Sequence, residues 1–183
     1  MKKLPAIAIA IAIASCLAVH PLRADAPPES GSLLDIAALS DASGIKVENG
    51  AAASLGDASG AKAVKLDFPG NGSYPGADLP PSGGMWNLTG YTGVAVTVTN
   101  AGTAKVGVGL RVDNPGDWRS NPWDSEVVWI DPGATQAVKV TFGQSYGKPG
   151  FALDPAQVKN IKVMMTNPKA PGTLLITSVQ AVK

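Results

Sequence analysis

The sequence predicts an all-β fold, a jelly-roll β-sandwich of two antiparallel sheets, and three observations carry that expectation. Short runs of alternating apolar and polar residues recur from residue 32 onward, turn-forming residues separate them, and no stretch sustains a helical period. Period-two patterning with one apolar face marks half-buried antiparallel sheet. With 21 glycines, 15 prolines and at least eight strand-like runs, two packed sheets are the natural architecture.

The first residues stand apart from this pattern. Lys2 and Lys3 precede an apolar run from Leu4 to Ala14, a basic segment and a hydrophobic segment too short for an ordinary transmembrane helix. Together they read as a secretory signal. Two processing routes are open. Ile13-Ala14-Ser15-Cys16 resembles a bacterial lipobox, in which Cys16 is lipidated and becomes the first residue. The Ala24–Asp25 bond is the ordinary alternative, because Pro27 disfavours a cut after Ala26. The expected organisation is a signal peptide over 1–24, a linker over 25–31 and a β-sandwich domain over 32–183. A lipidated Cys16 would make residues 17–31 a tether, which their Pro, Ala, Ser and Gly content suits. Either route exports the protein, to the periplasm, the outside of the cell or the outer membrane as a lipoprotein.

The strands follow in order. Val64, Leu66 and Phe68 alternate with Lys65 and Asp67; Val94, Val96 and Val98 with Ala95, Thr97 and Thr99. Val106, Val108, Leu110 and Val112 alternate with Gly107, Gly109 and Arg111 in a strand expected over 104–113. Val138, Val140 and Phe142, then Ile161, Val163 and Met165, keep the same rule, and residues 173–182 form a longer apolar strand. Turns are expected at Asn100-Ala101-Gly102, Asp131-Pro132-Gly133, Asn167-Pro168 and Pro171-Gly172. Two Asp-Ala-Ser-Gly tetrapeptides, at 41–44 and 57–60, read as turns near the first strands.

Composition removes several chemistries. Cys16 and His20 are the only cysteine and histidine, and both lie in or beside the signal. The mature domain therefore has no disulfide, no Cys- or His-ligated metal, and no Ser-His-Asp or Cys-His catalysis. A net charge of +1 without a basic run beyond Lys2-Lys3 argues against nucleic acid as a partner. No cofactor is expected, and contact with a membrane only through a lipid on Cys16.

The segment 111–129, "RVDNPGDWRSNPWDSEVVW", holds three of the four tryptophans. Exposed indoles stack on the C–H faces of sugars, while Asp, Asn and Arg hydrogen-bond their hydroxyls. Trp118, Trp123, Arg111, Asp113, Asn114, Asp117, Arg119 and Asn121 supply both kinds of group, with Tyr146 of the 143–150 loop as a neighbouring wall. Pro115 and Pro122 stiffen the loop. The competing reading makes Trp118 and Trp123 plugs over the sandwich edge. Trp86 and Trp129 are expected to be buried. Gly107 and Gly109 on one strand face imply either close packing or a shallow groove. No catalytic residue is assigned; the acids Asp113, Asp117, Asp124 and Glu126 are close in sequence but ordinary for turns.

"LRVDNPGDWRSNPW", "VTFGQSYGKPGFALDPAQVKNIKV" and "GTLLITSVQAVK" together resemble the carbohydrate-binding-module-like domains, galactose-binding-like jelly rolls, attached to bacterial β-agarases and β-galactosidases. The resemblance spans residues 32–183 and implies non-catalytic binding of a galactan or agar-type polysaccharide or oligosaccharide, with a separate glycoside hydrolase as a partner. Ile176-Thr177-Ser178-Val179 stands where many such modules carry paired acids of a structural calcium site. That departure argues against calcium, leaving only Asp35 or Asp67 to help hold one. The alternative function is a structural or protein-binding domain of the cell envelope on the same fold, or a polysaccharide-degrading enzyme acting through two carboxylates.

Overall fold

The computed structural model describes residues 30–79, 81, 83–116, 119 and 122–183. The signal segment, Cys16 and most of the 25–31 linker lie outside the described residues, as do Asp117, Trp118 and Asn121. The strands are β1 (Lys46–Glu48), β2 (Ala52–Ala58), β3 (Ala61–Phe68), β4 (Gly76–Leu79), β5 (Gly93–Asn100) and β6 (Val106–Asp113). They continue with β7 (Trp123–Ile130), β8 (Thr135–Thr141), β9 (Gln144–Ser145), β10 (Lys148–Pro149), β11 (Asn160–Met165) and β12 (Gly172–Val182). One 3-10 turn, Pro155–Gln157, is the only helical element among the described residues.

Two five-stranded antiparallel sheets form the sandwich, ordered β1-β4-β11-β6-β7 and β2-β3-β12-β5-β8, with β9 and β10 as a separate hairpin. The expected jelly-roll sandwich is the observed fold. Alternation explains it directly: Val106, Val108, Leu110 and Val112 of one sheet and Val94, Val96 and Val98 of the other are buried in a common core. Burial of these faces is the main drive to fold. In β12 the register shifts between Ile176 and Ser178, a bulge that moves the inward positions from Leu174 and Ile176 to Val179.

Both Asp-Ala-Ser-Gly tetrapeptides are turns. Asp41 Oδ1 accepts from Ser43 N at 2.8 Å, and Asp57 Oδ1 accepts from Gly60 N at 2.8 Å. In the second, Ser59 and Gly60 both take positive φ, the requirement of a two-residue hairpin between twisted strands. Trp86 is buried, 5% exposed, and its strand-like bridge to Val158 pins it to the core. Asp35 Oδ1 accepts from Ala38 N, and Asp67 is held by Lys65 and Thr173. Both acids named for calcium thus have structural partners.

Candidate functional site

The outer face of the β1-β4-β11-β6-β7 sheet is read row by row from its register. A first row holds Asn160, Asp113 and Trp123. The second runs Lys46, Asp78, Lys162, Arg111 and Ser125. The third is Glu48, Gly76, Met164, Gly109 and Val127. At the far end Gly107 pairs with Trp129, and Thr166 N donates to Gly107 O beside them. These residues face out because their neighbours, the alternating Val, Leu and Ile, face in.

The sheet's charge gathers in the first two rows and at Glu48 of the third. Arg111 Nε and Nη2 each lie 2.7 Å from Asp113 Oδ1, leaving the second carboxylate oxygen outside that pair. Lys162 Nζ lies 2.6 Å from Glu48 Oε2 and 3.3 Å from Asp78 Oδ1. The Arg111 guanidinium sits 5.4 Å from the centre of the Trp123 ring, and the Phe151 ring lies 5.3 Å from it at 51°. Burial pushes the Asp113 carboxyl above the ordinary carboxylate value, against the opposing pull of Arg111 and Lys162, and repulsion from Asp78 adds to the rise. A face of fixed donors, acceptors and an aromatic plane suits a hydroxyl-rich ligand.

Of the residues named from the sequence, Arg111, Asp113 and Trp123 lie together. Tyr146 stands beside the edge strand β7, 53% exposed, with its N–H donating to Ser125 O. Arg119 is exposed in a turn. Asn114 is placed elsewhere. It is buried; its Nδ2 donates to Asp154 O and Gln157 O, both at 2.8 Å, and its Oδ1 accepts from Asp154 N. Its whole amide is used to fasten the 154–157 turn, so it offers nothing to a ligand.

Trp129 reverses its expectation of burial: it is 57% exposed. The cause is the register. Gly107 lies opposite on β6, and a Cβ there would meet the Trp129 ring at 3.3 Å. Glycine gives the indole a seat on the outer surface. Gly109 is filled differently, since Met164 lies over it and a Cβ would meet Met164 Cγ at 3.0 Å. Both glycines are thus close-packed. Lys162, Asp78, Glu48, Phe151 and Trp129 were missed; period two in β11 signals Lys162, whereas Phe151 lies in no periodic run.

The three described acids, Asp113, Asp124 and Glu126, do not share a face. Asp124 is fully buried and accepts from Gly143 N at 2.6 Å and Ser145 Oγ at 3.2 Å. Burial raises its pKa, opposed chiefly by the bonds from Gly143 N and Ser145 Oγ. Glu126 accepts from Val127 N and Gly147 N, on the strand parity opposite to Trp123 and Trp129. Asp113 alone of the described three lies on the outer face.

No family model and no curated protein sequence matches the chain. Solved structures do. An exo-β-agarase matches with a TM-score of 0.61 at 17% identity, over 77% of this chain and 24% of that one. A family 11 carbohydrate-binding module from Clostridium thermocellum, in complex with a β-1,3-1,4-mixed-linked tetrasaccharide, matches at 0.59 and 14% identity, over 82% of this chain and 94% of the module. A family 28 module specific for non-crystalline cellulose matches at 0.58 and 13% identity, over 90% of this chain and 100% of the module. The chain thus spans about a quarter of the agarase and almost all of each module. Its architecture is the β-sandwich of carbohydrate-binding modules.

Proposed function

We propose that the domain binds polysaccharide without catalysis, on the outer face of the β1-β4-β11-β6-β7 sheet, and that a galactan or agar-type glycan is the ligand. The carrying observation is the cluster of Trp123, Arg111 and Asp113, an aromatic plane beside an ordered ion pair that keeps a carboxylate oxygen for a sugar hydroxyl. Trp123 and Trp129 lie six residues apart along β7, roughly 20 Å at ~3.3 Å per residue. A chain of several sugar units can therefore lie along the strand. The likeness to the agarase and to modules that bind glucans supports the class of ligand. Export, through the signal or through a lipid on Cys16, would bring such a domain to its polymer and to a separate hydrolase.

Isothermal titration with agarose, mixed-linked glucan and cellulose oligosaccharides tests the reading. Trp123→Ala should weaken binding by ~1–3 kcal/mol, the loss of a modest hot spot. Unchanged affinity in Trp123→Ala, or binding of none of the panel, would refute it; preference for a glucan would correct the sugar.

A further inference from the structure

We infer that the pocket beside Trp129 takes an anionic substituent of the glycan, a sulfate ester or a carboxylate, and so selects charged over neutral polysaccharide. This rests on the glycan-binding reading above and names the ligand class at the other end of the same face. The pocket has a volume of about 380 Å3 and lies where the 101–105 and 166–171 loops meet the Gly107–Trp129 row. That volume is within the range of small-molecule sites.

Its walls are built. Asn100 is fully buried and holds the 101–105 loop, with Nδ2 donating to Ala104 O at 2.8 Å and Ile130 O at 3.0 Å, and Oδ1 accepting from Gly102 N. Trp129 supplies an exposed indole. Lys105 and Lys169 line the pocket, and no Asp or Glu does. Lys105 is tied to Asp131 at 3.1 Å, whereas Lys169 is exposed and has no ion pair among the described residues.

The indole and the ammonium answer to one ligand chemistry. A sugar ring stacks on the indole, and oxygens of its anionic group accept from the Lys169 ammonium. The second row of the face differs, because Arg111 and Lys162 there are already matched by Asp113, Glu48 and Asp78. Uncompensated positive charge sits at the Trp129 end.

The test is titration with two matched pairs: a carrageenan-type oligosaccharide and its desulfated form, and an oligogalacturonate and its methyl ester. In one pair or both, the anionic member should bind about tenfold more tightly at low ionic strength, with the gap shrinking as salt rises. Lys169→Gln should close most of that gap while leaving the neutral member's affinity and the melting temperature as in wild type. Equal affinities within both pairs, or a gap that survives in the Lys105→Gln/Lys169→Gln double variant, would overturn the inference. Neutral glycans bound as before would then leave the glycan-binding reading standing. Loss of all binding, neutral included, is the separate failure of that reading.

Discussion

Asp124 connects the core to the candidate site, although its side chain does not reach the outer face. It accepts from Gly143 N and Ser145 Oγ, and so clamps the 143–151 segment against β7. The segment passes so close that a Cβ on Gly150 would lie 2.2 Å from Asp124 Oδ1. Asp124→Ala strands two donors at once. Each buried unpaired polar group costs ~1–3 kcal/mol, and because the loop is near water the lower end applies, giving about 2 kcal/mol in all. For a domain of this size that is a fall in Tm of roughly 4–8 °C. Asp124→Asn keeps one acceptor oxygen and removes a buried charge, so it should lose about half as much. Phe151 rides on the same segment and packs on Trp123, so Asp124→Ala should also weaken glycan binding without touching the ligand. Calorimetric melting and titration of the folded variants measure both effects. A Tm within about 2 °C of wild type would refute the clamp; a normal Tm shift with wild-type affinity would show that Phe151 has no part in the site.

Trp86→Ala should behave as a core truncation, losing ~3–5 kcal/mol of stability in urea melts. The acidic limb of stability should carry the mark of Asp113. Its native pKa is raised by burial, so the folded state takes up a proton before the unfolded chain does. Its contribution is therefore fully present below the ordinary value of 3.8 and is lost as pH rises through the raised native value. Asp113→Asn should erase that increment, so the stability of wild type relative to the variant should grow as pH falls from neutral towards 3.8. A difference independent of pH would contradict this.

The sandwich was legible because its cause is local: each run such as Val94, Val96 and Val98 states its own burial. The edge strand β1, with all three residues exposed, has no apolar face to announce it. The site was legible only where one strand carries it. Arg111 and Asp113 are two apart on β6, and their joint outward direction follows from the pleat. That Trp123 lies opposite Asp113, and Lys162 opposite Arg111, depends on which strands pair in what register. Sequence spacing does not state that. Trp129 shows the limit most clearly, since its exposure is set by a glycine 22 positions earlier on the neighbouring strand. Asn114 is the converse, a loop amide of ligand-like chemistry consumed by a turn 40 residues away.

The position of β12 has a consequence for when the chain can fold. This strand is inserted between β3 and β5, at the centre of its sheet, yet it is the last of the strands in the chain. A polypeptide emerging from the ribosome one end first has made β3 and β5 long before the strand that joins them exists. Until residues 172–182 arrive, two half-sheets carry open edges facing one another, and no closed core is available to them. The closed core of this sheet therefore waits on residues 172–182, and the pairing that completes it joins segments far apart in sequence.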